Sequence, residues 1–244
     1  MPRYVGSKWK KTAAIMRNSS LAVNVPSTSR MSRQSLKEYL ARYQMVYIKP
    51  EHGSYGNGVM RVETTSSGYR YQLGTKARNF RAYDSMYQSI LQHTKGKRYL
   101  VQKGIHLLKH NGRKFDLRVM VQLSPNNVWE TTGIIGRAAA KGKIVTNYHS
   151  GGTIVNADQL LSTHTNQVQS RLRQLSSMGV RAGAAMQRAF PGVTKIGLDI
   201  AMDKTLHPWI LEVNTSPDPY IFRKHSDPKV FKKIMRYIKA DRSR

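Results

Sequence analysis

Three oxygen-bearing side chains lie near the ends of two apolar segments: Asp199 in "IGLDIAMD", and Glu212 and Asn214 in "ILEVN". Glu212 and Asn214 are two residues apart and share one face of a strand. Their hard oxygens suit Mg2+, which keeps waters and substrate phosphates beside one or two carboxylates. With 41 Lys and Arg against 13 Asp and Glu, the competing expectation is simple pairing with nearby cations. Both carboxylates sit inside apolar strands, where an unpaired charge is costly, and this favours a working site. Asp218, in "SPDP", is expected to shape a turn.

Groups that bind phosphate accompany them. Arg118 and Arg137 fall on neighbouring predicted strands, where guanidinium forks clamp a triphosphate or an anionic intermediate. Gly53, Gly56 and Gly58 interrupt "EHGSYGNG" between two strands, leaving backbone N–H groups open to phosphate oxygens, with Lys49 at the start of the loop. A second polar loop carries Asn147, His149, Gly151 and Gly152. Each loop alone reads as a turn, and each arginine alone as a surface charge. No nucleophile elbow and no paired zinc histidines occur, so the combined chemistry points to ATP.

The elements that must position these groups are legible in outline. "QMVYIKP", "VMRVET", "GYRYQL" and "RYLVQKGI" read as strands, and a helix is expected to follow the Ser/Thr-rich "NVPSTSRMSRQS". Phe80, Tyr83, Met86, Tyr87 and Ile90 recur at helical spacing. "KFDLRVMVQ" sets Asp116, Arg118 and Met120 on one face and Leu117, Val119 and Val121 on the other; "VWETTGIIGRAAA" is its hairpin partner through "SPNN". A long helix through Val168, Leu175, Ala182 and Ala189 is expected to break near Gly179, followed by two strands and a basic C-terminal helix. The order is α+β with antiparallel hairpins.

Length and composition fit a folded globular protein of one large domain or two small interlocked ones. No cysteine occurs, which excludes disulfides, thiolate metal sites and a Cys nucleophile. No stretch reads as a signal-peptide core or a bilayer span, so a soluble, intracellular protein is expected. A net charge of +28 draws in anionic substrates or polyanions, and no module for specific nucleic-acid reading is present.

In order, "YIKPEHGSYGNGV", "YLVQKGI", "KFDLRVMVQ", "GRAAAKGKIVTNYHSGGT", "IGLDIAMD" and "ILEVNTSP" resemble the ATP-grasp fold, and the opening, "FDLRVMVQ" and "NTSPDPY" segments resemble its YheC/YheD-type endospore coat-associated family. The resemblance implies two α+β subdomains, residues 1–104 and 105–244, clasping ATP between them, with no separate N-terminal acceptor domain. By motif it implies Lys49 on the α- and β-phosphates, the Gly53–Gly58 loop over the phosphates, and Gln102, Lys103 and Ile105 at the adenine hinge. Lys11, or its neighbours Lys8 and Lys10, supplies a further lysine. Arg118 meets the γ-phosphate, Arg137 the intermediate, and Asp199, Glu212 and Asn214 hold Mg2+. Lys103 departs from the acid that many relatives carry there. The implied activity is carboxylate–amine ligation through an acyl phosphate on an anionic acceptor, an acidic peptide or polymer. A kinase acting on a hydroxyl is the runner-up, and a polyanion-binding coat protein without turnover is the reading from another class. The implied location is the cytoplasm or the spore.

Overall fold

The computed structural model of the chain describes residues 4–242. Ser7 opens helix α1 (Lys8–Met16) by accepting the Lys10 N–H, and its hydroxyl also donates to Glu51 Oε1 at 2.6 Å. The sequence reading assigned no element here, because the face that α1 buries includes Lys8 and Lys11 beside Ala14 and Ile15. A one-turn helix α2 (Ser19–Ala22) and strand β1 (Thr28–Arg30) lead to α3 (Arg33–Tyr43), started by a reciprocal Ser32–Ser35 capping box.

Strands β2 (Met45–Pro50), β3 (Met60–Thr65), β4 (Gly68–Leu73) and β5 (Lys76–Phe80) form a meander; α4 (Tyr83–Thr94) crosses back and β6 (Tyr99–Lys103) pairs with both β1 and β2. Phe80 does not join the helix that its spacing suggested. It ends β5 opposite Tyr69 and stacks on Tyr71 with ring centroids 5.6 Å apart. This antiparallel sheet, in the order β1-β6-β2-β3-β4-β5, covers one face with α3 and α4 around Leu36, Ile48, Met60, Tyr71, Met86 and Ile90. Strand alternation turns Tyr47, Lys49 and Gln102 to the opposite face.

The second sheet follows. Strand β7 (Lys109–His110) pairs with β8 (Arg113–Leu123), which turns through Ser124–Asn127 into β9 (Trp129–Ala138). The donor-rich loop after β9 holds a short 3-10 turn, Tyr148–Ser150, and then passes into β10 (Thr153–Asn156), a strand the sequence did not disclose. Helices α5 (Ala157–Ser162) and α6 (Val168–Ala189), strands β11 (Lys195–Met202) and β12 (Pro208–Asn214), a 3-10 turn Tyr220–Lys224 and helix α7 (Pro228–Arg242) complete the chain. The order β10-β9-β8-β11-β12 is antiparallel throughout.

Both faces of this sheet are covered. Leu117, Val119 and Val121 of β8 pack toward α6, whereas Met120 packs with Ile221, Phe222, Ile234 and Ile238 around α7. Helices α1 and α2 also pack on α6, α1 touches the first sheet through Arg30, whose guanidinium lies 5.6 Å from the Trp9 ring centroid, and the Val5 N–H donates to Thr215 Oγ1 at 2.9 Å across 210 residues. No helix among the described residues is long and apolar enough to cross a membrane.

Helix α6 runs unbroken through Gly179. A Cβ there would lie 2.7 Å from Thr131 Oγ1, and one at Gly183 would lie 2.4 Å from the Trp129 ring, so both glycines serve close approach of helix to sheet. The Trp129 ring is held by its Nε1 donating to Gln187 Oε1 at 2.8 Å and cannot swing aside freely. For Gly183→Ala the helix-propensity gain of about 1 kcal/mol is outweighed by overpacking of about 1–3 kcal/mol. Urea unfolding is expected to show a net loss of about 1 kcal/mol; an unchanged or raised midpoint would show that the ring yields.

Candidate active site

Register brings the charged residues of the second sheet into one row. Arg118 on β8 lies opposite Asp199 on β11, which lies opposite Glu212 on β12, while Asp116 on β8 faces Arg137 on β9. Arg118 Nε donates to Asp199 Oδ1 at 2.6 Å, and Arg137 reaches the same oxygen at 3.0 Å. Arg137 also forks onto Asp116, Nε to Oδ1 at 2.8 Å and Nη2 to Oδ2 at 2.5 Å, and Thr146 Oγ1 donates to Asp116 Oδ2 at 2.7 Å. Gly197 leaves space for this row: a Cβ there would lie 3.2 Å from Arg118 Cδ.

Asp116, Arg118, Arg137 and Asp199 are buried, and the pairing decides their state. Burial alone would raise the pKa of Asp199, but Arg118 and Arg137 outweigh it and hold the value at about 2. Burial would likewise lower that of Arg137, yet Asp116 and Asp199 push it up. The pairing expected as the competing reading is therefore real for Asp199. Glu212 differs: its side chain is 25% exposed and its nearest cation is Lys8 Nζ at 3.6 Å.

Two compartments meet above this row. The apolar one, about 660 Å3, is lined by Tyr47, Val59, Ile105, Leu107, Ile144 and Leu211, together with Lys49, Gly56, Gln102 and Lys103. The charged one, about 680 Å3, holds Arg118, Arg137, Asn214, Tyr55 and His149. Asn147, Asp199 and Glu212 border both. Lys49 Nζ donates to Gln102 Oε1 at 2.6 Å, and Gln102 donates on to Thr28 Oγ1 at 3.0 Å. Helix α1 turns Lys8 and Lys11 toward Glu212 and leaves Lys10 in solvent; Lys8 Nζ donates to Gly53 O at 2.6 Å. Burial lowers the pKa of Lys11, against the pull of Glu212.

The Gly-rich hairpin and the loop after β9 close on each other. Ser150 Oγ donates to Tyr55 O at 3.0 Å, the Tyr55 and His149 rings lie 4.6 Å apart, and Gly56 sits against Val145. Not every expected residue faces ligand space. Gly58, at φ +74°, lies against the Tyr99 hydroxyl; Gly151, at φ +87°, ends the 3-10 turn; and Gly152 lets the chain pass Thr146 O. Lys103 lines the cleft, but its ammonium lies over the Trp209 ring, 4.9 Å from the centroid. Asp218 accepts the Tyr220 N–H at 2.8 Å, as its turn-shaping expectation required, and lies 3.6 Å from His149. Sequence reasoning missed Asp116 as a site residue, although alternation had put it on the Arg118 face. It also missed Tyr47, Ile144, Thr146 and Leu211, whose types carry no signal of their own.

Among the described residues no three His, Cys, Asp or Glu side chains cluster as a metal site. Among the oxygen donors lining the charged compartment, Asp199, Glu212 and Asn214 lie on the neighbouring strands β11 and β12, and two carboxylates with an amide fit Mg2+ completed by waters and phosphate oxygens. The shortest contact of each arginine with Asp199 falls on Oδ1.

The sequence pattern of the YheC/D like ATP-grasp family matches residues 2–240. The chain belongs to this family. Among curated YheC/D relatives, endospore coat-associated protein YheD of Bacillus subtilis (strain 168) is 25% identical over 223 residues, covering 88% of this chain and 49% of that protein. Endospore coat-associated protein YheC of the same organism is 21% identical over 224 residues, covering 88% of this chain and 61% of that protein. The chain thus spans half to three-fifths of their length. A solved structure, D-cycloserine synthetase DcsG, superposes with a TM-score of 0.60 at 13% identity, over 98% of this chain and 71% of that one, which extends the ATP-grasp likeness to the fold.

Lys49 supplies a test of the cleft. Burial pushes its pKa from 10.5 down to about 8, although part of its surface reaches the cleft and Glu212 pulls the other way. Its ammonium therefore costs stability below pH 8, and the cost fades as pH rises toward 10.5. Phosphate oxygens would favour the charged form, so ATP binding at about pH 8.5 is expected to take up part of a proton. Calorimetry in buffers of different ionisation enthalpy should show this uptake in the wild type and not in Lys49→Arg; uptake in both would remove Lys49 from the phosphate site.

Proposed function

We infer that the protein is an ATP- and Mg2+-dependent carboxylate–amine ligase acting on an anionic acceptor. The observation that carries this reading is the paired row Arg118–Asp199–Glu212, with Arg137 and Asp116, at the junction of an apolar and a charged compartment. The apolar walls around Tyr47, Ile105 and Leu211 suit adenine, which leaves the phosphates over Lys49 and the residues shared by the two compartments. Asp199, Glu212 and Asn214 would hold Mg2+, which, when bound, neutralises phosphate charge.

The acceptor then occupies the charged compartment. A carboxylate oxygen attacks the γ-phosphorus, the bond to the bridging oxygen breaks, and ADP leaves. An amine nitrogen next attacks the acyl carbon, loses a proton and expels phosphate. Arg118 and Arg137, fixed in place by their aspartates, present cationic N–H groups where negative charge develops, with little reorganisation during reaction. No protein nucleophile is required. The names of the Bacillus relatives associate them with the endospore coat, and the same setting is proposed for this chain.

Glu212→Gln tests the metal role with little risk to the fold, since the side chain is partly exposed and only loosely paired. Its turnover is expected to fall by about two orders of magnitude, with Mg2+-dependent ATP binding weakened in calorimetry. Unaltered turnover would refute the assignment. Hydroxylamine separates the chemistries: an acyl phosphate yields a hydroxamate with ADP release, whereas a stable phosphoester and no hydroxamate would mean a kinase.

A further inference from the structure

The charged compartment opens beside the Tyr220–Lys224 turn, where Asp218 and Ile221 form part of its wall. Two cations at this mouth are held in place by aromatic rings: Lys224 Nζ lies 5.2 Å from the Tyr148 centroid, and the Arg223 guanidinium lies 4.8 Å from Tyr220 and 5.3 Å from Phe231. Phe231 belongs to α7, so the mouth continues onto that helix. Lys229, Lys232, Arg236 and Lys239 are exposed there in a stripe of 3, 4 and 3 residues, while Ile234 and Ile238 face the core.

Local acids are few, and none forms a close ion pair with the stripe, although Glu130 also attracts Arg236. Asp218 accepts the Tyr220 N–H, Asp227 accepts the Lys229 N–H at 2.8 Å, and Glu130 takes Lys233. Among the described residues, Arg223, Lys224, Lys229, Lys232 and Arg236 form no ion pair. From Lys229 to Lys239 the stripe runs about 15 Å at 1.5 Å per helical residue. An extended peptide of about four or five residues spans the same length.

We propose that α7 and the preceding turn form a track for an acidic peptide, which lies along the cation stripe and delivers a carboxylate to the compartment floored by Arg118 and Arg137. The proposal rests on the ligase reading for the fate of that carboxylate, not for binding. A peptide rich in Asp or Glu offers both the repeating charge that the track fits and the group that the reaction consumes. Nucleic acid offers no carboxylate, and the Tyr148 and Tyr220 rings already carry Lys224 and Arg223 where bases would stack.

The test is fluorescence anisotropy of a labelled decaglutamate at about 150 mM salt, where distant surface charges are screened. The triple variant Lys229→Glu, Lys232→Glu, Arg236→Glu is compared with Lys76→Glu, Arg78→Glu, Arg81→Glu, which changes net charge equally on exposed positions around β5. The α7 variant is expected to bind at least about tenfold more weakly, and the β5 variant within about twofold of wild type. Decaglutamate is also expected to accelerate ADP release in the wild type and much less in the α7 variant. Equal weakening in both triples would reduce the track to the general field of a basic protein, and polyphosphate competing as well as decaglutamate would overturn the peptide assignment. Track-dependent binding with no ADP release under any acceptor would sink the ligase reading and leave the binding surface standing.

Discussion

Two arginines and two aspartates share the buried floor of the second sheet, and the surrounding elements are arranged to keep them paired. Removing any one would strand a partner in a poorly solvated place, at a cost of about 3–5 kcal/mol. The three strands that carry them, β8, β9 and β11, are accordingly central in the sheet and covered on both faces. Single-residue slippage would turn Asp116 and Arg118 into the α6 core and bring Leu117 to the floor. The same pairing fixes the guanidinium orientation before any ligand arrives. Thr146 carries this constraint outward, because its bond to Asp116 ties the loop above the cleft to the floor below.

The first sheet contributes differently. Its core face is an ordinary aromatic and aliphatic layer under α3 and α4, and its other face offers Tyr47, Lys49 and Gln102. One sheet thus supplies apolar wall and isolated cation, the other a dense neutralised array. The glycine hairpin and the loop after β9 bridge them through single contacts, such as Ser150 to Tyr55, that are far weaker than the floor. Rigid chemistry below and lightly held loops above divide the labour between precision and access.

Legibility in the sequence followed the physics of each element. Strands β8, β11 and β12 were readable because polar residues on an otherwise apolar strand announce a special face, and Asp199 and Glu212 stood out for the same reason. Helix α1 was hidden because its buried face is built partly from lysines, which any hydrophobic pattern scores as surface. Strand β10 was too short and too mixed to show a period. At Gly179 the usual penalty of glycine in a helix suggested a break, whereas the neighbouring Thr131 side chain explains the glycine as a spacing device. Leu211 and Ile144 act by position in space, which no local pattern encodes. Lys8 and Lys11 could be separated from Lys10 only once the helix phase was known.

The bond from the Val5 N–H to Thr215 Oγ1 has a consequence in time. In the order of synthesis α1 precedes by well over a hundred residues the surface that receives it, which is built from α6 and β12. The first sheet can fold early from contacts among its own neighbours, while the segment carrying Lys8 and Lys11 waits through most of synthesis. Residues made early are therefore late to reach their places, and the lysines join Glu212 only after β12 has been made.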